Sequence, residues 1–230
     1  VRLDVLSLSL TDSKDAQMLD TMADVMKAAY NLNWITTRDG NVSLRRKNTP
    51  YLYITPSGAR KQNLTSEQMI KLQFPEHAYS DTPWQEMTRV SDEYQDRIVG
   101  LRPSGELPFH YLLQERINTS NRVVLHLHCT HTVAAIRRGI RLQDITQDFP
   151  ELSGLTRVGP SVPLTEARST QLGHAVYDAF QVQPDGAVSA DIVVVEGHGV
   201  VAVDVDPWRA FEHAERLEHI AQIVLLSGKW

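Results

Sequence analysis

Val123-Val124-Leu125-His126-Leu127-His128 is an apolar, β-branched run that ends on two histidines spaced i, i+2. The run predicts a strand, with His126 and His128 on one face and Leu125 and Leu127 on the other. Two imidazoles about 7 Å apart at their Cα atoms can converge on one metal ion. The same pair on its own also describes two hydrogen-bonded strand histidines. Two further donors bracket the run: Glu106 upstream, and His198 downstream in Glu196-Gly197-His198-Gly199. His126, His128 and His198 offer three neutral nitrogens, a set that leaves a coordination position open in catalytic zinc sites, and Glu106 is a candidate fourth ligand. Imidazoles suit zinc (Zn2+) better than calcium or magnesium, which take oxygen shells.

Working outward, Ile192 to Val195 and Val200 to Val203 predict a β-hairpin around Gly197-His198-Gly199. Asp206 and Pro207 then open a final helix as N-cap and first-turn proline. Its apolar face is Ala210, Phe211, Ala214, Leu217, Ala221, Val224 and Leu225. Upstream, Leu107 to Ile117 reads as a helix, and Thr130 as the cap of another through Val133, Ala134 and Ile136. Glu166 to Phe180 reads as a helix capped by Thr165. Asp15 to Tyr30 has the three- and four-residue apolar spacing of a helix, with Asp12 or Ser13 as cap. Val1 to Leu10 carries a strand-like alternation. Asp39-Gly40-Asn41 turns into a run Val42 to Arg45, and Leu52 to Thr55 is a short strand ending at Pro56-Ser57-Gly58. Thr65 with Gln68 has capping-box spacing, predicting a short helix through Met69, Ile70 and Leu72. Residues 75 to 95 show no pattern.

Strands and helices mix without strict alternation and without a repeat. This pattern suits a single layered domain with a mixed or antiparallel sheet. At 230 residues the chain suits one domain, 1–230, with 1–12 as an N-terminal extension. A net charge of −5 gives no reason to expect nucleic acid or an anionic membrane as partner. The single cysteine, Cys129, fits a reducing cytoplasm. No run approaches the ~20 apolar residues of a membrane span, and the start lacks both Met and a signal-peptide core, so a trimmed start is expected.

Gly40-Asn41-Val42-Ser43, Thr55-Pro56-Ser57-Gly58 and Ser104-Gly105 form a second constellation of small and polar turn residues. Turn amides and short side chains of this kind can bind an anion closely. Walker and dinucleotide fingerprints are absent, which argues against nucleotide binding. With His126-Leu127-His128, Gly197-His198-Gly199 and the pair Glu106–His110, these motifs stand in an order that resembles the class II aldolase/adducin family across about residues 15 to 226. Glu106-Leu107-Pro108-Phe109-His110 is similar to the rhamnulose-1-phosphate aldolase branch, and Gly40-Asn41-Val42-Ser43 to fuculose-1-phosphate aldolase.

That resemblance implies an α/β fold, a layered α/β/α domain whose central, mainly antiparallel sheet is flanked by helices, and zinc on His126, His128 and His198, with Glu106 as both ligand and catalytic acid/base. It places Asn41, Ser57, Gly58 and Ser104 on substrate phosphate, and it implies one zinc per chain in a homotetramer. The implied activity is reversible retro-aldol cleavage of a ketose 1-phosphate to dihydroxyacetone phosphate and an aldehyde through a zinc-stabilised enediolate. Related lyases and isomerases (a sugar-acid phosphate decarboxylase, a dehydratase, a pentulose-phosphate 4-epimerase) share the site, and an adducin-like binding module shares the fold. Gly105 stands where the aldolases usually carry a second phosphate-binding side chain. His131 and Tyr30 are candidate proton donors to the leaving aldehyde.

Overall fold

The computed structural model describes residues 2–90, 100–119 and 121–228, and for 2–14 and 151 the backbone alone. Seven strands form one sheet: β1 (Asn41–Arg46), β2 (Tyr51–Ile54), β3 (Ile70–Gln73), β4 (Thr88–Arg89), β5 (Asn121–Leu127), β6 (Ile192–Val195) and β7 (Gly199–Asp204). Their order is β4-β3-β2-β1-β5-β7-β6, and every neighbouring pair is antiparallel. The helices are α1 (Arg2–Asn31), α2 (Leu107–Arg116), α3 (Thr130–Arg137), α4 (Leu142–Ile145), α5 (Pro150–Leu155), α6 (Thr170–Ala179) and α7 (Pro207–Ser227).

The run at 123–128 is apolar on both faces because β5 is buried on both faces. Val123, Leu125 and Leu127 enter a core with residues of α1 and α7, such as Met22, Met26, Leu217 and Ala221. Val124 faces the other way, into a core with Phe109 and Leu113 of α2 and Leu172 and Val176 of α6. The architecture is therefore the expected α/β/α sandwich. Each of the buried valine, leucine and methionine side chains among these stabilises the fold by about 1.5–3 kcal/mol. Alternation along β5 puts His126 on the α2 side with Val124, where its ring meets Phe109 edge-on.

Several local expectations are corrected. The strand-like reading of Val1 to Leu10 fails from Arg2 onward: α1 begins there and runs through Asp12 and Ser13, so neither caps a helix, and Val1 lies outside the described residues. Leu3, Leu6 and Leu10 also fit helical spacing, and the helix from Asp15 propagates backwards through them. The Thr65–Gln68 box forms, with the Thr65 amide donating to Gln68 Oε1 at 3.1 Å, but it closes only a 3-10 turn at Ser66–Gln68. Ile70 and Leu72 then alternate with Lys71 and Gln73 as β3, a period of two that pairs with β2. Thr165 does not start a helix. Ser169 does, its Oγ accepting from the Leu172 amide at 3.0 Å, and α6 spans only Thr170–Ala179. Thr130 is the first helical residue rather than the cap of α3. The carboxylate of Glu218 on α7 accepts from the His131 and Thr132 amides instead, a tertiary cap no local pattern announces. In the unpatterned stretch lie a 3-10 turn at Pro83–Glu86 and the edge strand β4, while 91–95 fall outside the described residues.

Candidate active site

The end of β5 carries the site. His126 pairs across to Asn41 on β1 and Val201 on β7, and it is fully buried. Its Nδ1–H donates to the Val200 carbonyl at 2.9 Å, so Nε2 carries the lone pair. His128, one residue beyond the strand, brings its Nε2 to 2.9 Å from that of His126. His198 arrives from the β6–β7 hairpin. Gly199 makes this approach possible, because a Cβ there would stand 2.2 Å from the Leu127 carbonyl oxygen. Every pair of the three imidazoles has ring centroids 4.7 to 4.9 Å apart.

Glu106 stands just before α2, where Pro108 opens the helix, and is 7% exposed. Its Oε2 lies 3.4 Å from His126 Nε2 and its Oε1 3.3 Å from His198 Nε2. A buried polar chain holds it there. Asn41 Nδ2 donates to Glu106 Oε2 at 2.7 Å, and Asn41 Oδ1 accepts from His110 Nε2–H. His110 Nδ1 then accepts from Ser43 Oγ at 2.7 Å, and Ser43 Oγ accepts from Gln114 Nε2 at 2.9 Å. Asn41 thus reaches the cavity as expected, but its amide is engaged on Glu106. Ser43 enters the sequence reading only as the end of the Gly40–Ser43 motif, with no role, and Gln114 not at all. They lie on the inward face of β1 and one turn beyond His110 on α2, a relation visible only once the sheet is paired.

The protonation states follow from burial. Desolvation first, then neighbouring imidazoles, pull His128 down to about 3; burial first, then His126, does the same to His110 at about 3. Burial alone would raise the Glu106 carboxyl, but His126, the Asn41 hydrogen bond, His198 and His110 hold it down at about 2. At neutral pH Glu106 is therefore a carboxylate, and His110 and His128 are neutral imidazoles.

The three histidines present ligand atoms that all lie within 4.8 Å of one another. His198 Nδ1 is buried with no hydrogen-bond partner among the described residues. Convergent lone pairs, a backbone carbonyl that orients His126 and an adjacent carboxylate fit a divalent metal ion of the borderline-soft kind. The cluster borders a cavity of about 220 Å³ that Ser57, Gly58, Ser104, Gly105 and Asn41 also line. Its two turns are tied together: the Ser57 amide donates to the Arg102 carbonyl at 2.8 Å and the Ser104 amide to the Thr55 carbonyl at 3.1 Å. The structure therefore gathers the candidate metal and phosphate residues around one cavity, with His126 buried behind its wall against His128 and His198. His131 and Tyr30 are not among its lining: His131 bonds to Glu218 in a separate groove, and Tyr30 packs on the α1–α7 core.

The fold agrees with the comparisons to known proteins. The family described as Class II Aldolase and Adducin N-terminal domain matches residues 20–225, and the chain belongs to that family. Within it, the chain is 24% identical over 199 residues to an L-fuculose phosphate aldolase of Methanococcus maripaludis, covering 86% of this chain and 91% of that protein. It is 29% identical over 223 residues to a methylthioribulose-1-phosphate dehydratase of Aspergillus niger, covering 90% and 85%. The fold superposes on an L-fuculose-1-phosphate aldolase of Thermus thermophilus with a TM-score of 0.69 at 20% identity, covering 94% and 96% of the two chains. Among the described residues no helix is long and apolar enough to cross a membrane.

Proposed function

We propose that this protein is a metal-dependent lyase for phosphorylated ketoses, and specifically an aldolase that reversibly cleaves a ketose 1-phosphate to dihydroxyacetone phosphate and an aldehyde. The observation that carries it is the placement of Glu106 at 3.3–3.4 Å from two of three convergent imidazoles, beside two turns suited to a phosphate. Zinc held by His126, His128 and His198, with Glu106 as a further ligand, would supply Lewis-acid stabilisation to negative charge on a substrate oxygen. Glu106 is the acid/base. In the condensing direction it takes the proton from the hydroxymethyl carbon of dihydroxyacetone phosphate, and in the cleaving direction it returns that proton to the same carbon. Asn41, fixed by His110, keeps Oε2 oriented for this transfer. The turn amides and hydroxyls of Ser57, Gly58 and Ser104 receive the phosphate, and Asn41 borders the same space. Assembly as a cytoplasmic homotetramer belongs to the same reading.

A dehydratase is the second reading, favoured by the 29% identity to the methylthioribulose-1-phosphate dehydratase. One assay separates them. Zinc-loaded protein is incubated with phosphorylated ketoses and sugar acids, and products are followed for aldehyde, carbon dioxide and loss of water. Aldehyde with dihydroxyacetone phosphate supports the aldolase. A dehydrated phosphate ester with an intact carbon skeleton establishes the dehydratase, and carbon dioxide a decarboxylase. Loaded protein that turns over none of them overturns the lyase reading in favour of an adducin-like binding module.

A further inference from the structure

Gly105 does not have a left-handed backbone, so no turn geometry requires a glycine there. Space does. A Cβ at 105 would stand 2.7 Å from Arg168 Cδ and 3.2 Å from Arg168 Cγ and Nε. The arginine stem occupies the volume that any other residue at 105 would need. Arg168 itself sits at φ 64°, in a region that residues with a Cβ seldom adopt, immediately before the Ser169 cap of α6. A long cation is thus laid across the Ser104-Gly105 turn at the edge of the cavity.

The neighbouring turn has a counterpart. Pro56 and Pro103 form an antiparallel bridge, with Ser57 opposite Arg102 and Ser104 opposite Thr55, and Ser57-Gly58 and Ser104-Gly105 line the same cavity. Arg38 Nη1 is 4.0 Å from the position a Cβ would take on Gly58, and Arg38 lines the cavity as well. Elsewhere Arg46, Arg157, Arg209 and Arg216 are paired with Asp15, Asp191, Asp204 and Glu212. Among the described residues neither Arg38 nor Arg168 makes a side-chain ion pair or hydrogen bond. The two carboxylates of the cavity are engaged elsewhere: Glu106 by Asn41 and the histidines, Asp39 by Thr36.

We propose that Arg168, lying over Gly105, is the residue that selects a dianionic phosphate monoester in this cavity, with Arg38 on the adjoining turn. The proposal rests on the sugar-phosphate reading and adds to it a charged fork where a hydroxyl side chain would otherwise stand. A planar guanidinium matches phosphate oxygens bidentately, and two unpaired ones flanking paired turns make the site selective for charge as well as shape.

Calorimetric titration of the zinc-loaded protein with glycerol phosphate tests it. Arg168→Ala and Arg168→Gln should each weaken binding by about 10- to 100-fold, with zinc content and melting temperature unchanged. Arg168→Gln keeps a stem over Gly105 and removes only the charge. Arg168→Lys should recover part of the loss. Gly105→Ser should weaken binding in the wild type by displacing the arginine, yet cost little or nothing in the Arg168→Ala background. Equal affinity of wild type and both charge-removing variants would overturn the proposal and leave the sugar-phosphate reading standing. A wild type that ignores glycerol phosphate would overturn both.

Discussion

Two histidine networks lie at opposite ends of β7, and what separates them is how their nitrogens are satisfied. Near Gly199, His126, His128 and His198 turn nitrogens toward one another, and His198 Nδ1 has no partner among the described residues. Near Asp204, His213 sits between two groups that complete it. Its Nε2 lies 3.1 Å from Asp204 Oδ2, and its Nδ1 lies 2.9 Å from Thr156 Oγ1. Arg209 Nε takes the other carboxylate oxygen of Asp204 at 3.0 Å. The second network closes on itself and fastens α7 to the sheet and to the loop after α5. The first leaves lone pairs convergent on one point, which is what a cation needs. Open valence, more than the presence of histidine, separates a site from a strut.

The largest break in this comparison is at Glu106. Glu106→Gln should retain a folded protein while lowering the cleavage rate by roughly 10²–10⁴, the contribution of a positioned acid/base. Steady-state kinetics on the ketose substrate checks it, and an unchanged rate would remove Glu106 from its role. At the other end the expected effect is on stability. His213→Ala empties a buried position and leaves Asp204 and Thr156 short of partners, so urea denaturation should show a loss of about 2–4 kcal/mol. Zinc stoichiometry in that variant should stay that of the wild type; a parallel loss of metal would mean the two ends are one unit.

The ends should also answer pH in different windows. Burial pushes the Asp204 carboxyl up, but the His213 hydrogen bond, the Val205 amide and Arg209 bring it below its usual value. A depressed carboxyl contributes stability above its unfolded pKa, near 4, and that contribution is lost as pH falls through the folded value. Beside the cavity, burial lowers Lys61 from 10.5 to about 8, against a weaker opposing effect of Asp39. Between those values the unfolded chain binds the proton that the folded chain has released. Stability should therefore rise from about pH 8 to about 10.5, by at most about 3 kcal/mol. Lys61→Met should flatten that rise and Asp204→Asn should blunt the acid loss, both read from denaturation midpoints across pH.

The sequence reached the first network and missed the second for a physical reason. His126-Leu127-His128 and Gly197-His198-Gly199 sit where period-two alternation and a hairpin turn dictate which way side chains point. Asp204, His213 and Thr156 come from a strand, a helix and a loop with no shared local pattern. The same limit applies to the Glu218 cap, which exists only through the packing of α7 on α3, and to the Asn41–His110–Ser43–Gln114 chain, which exists only through β1–β5 pairing and the packing of α2. Arg168 lay inside a segment read as helix, and its left-handed backbone is what ends that reading at Ser169.

The most direct measurement is metal content. Purified wild type, and apoprotein reloaded by titration, should each bind close to one zinc per chain, and His126→Ala should bind none while keeping its fold by circular dichroism. Metal-free wild type with full lyase activity, or His126→Ala with undiminished zinc, would contradict the assignment of the β5 end as a metal centre.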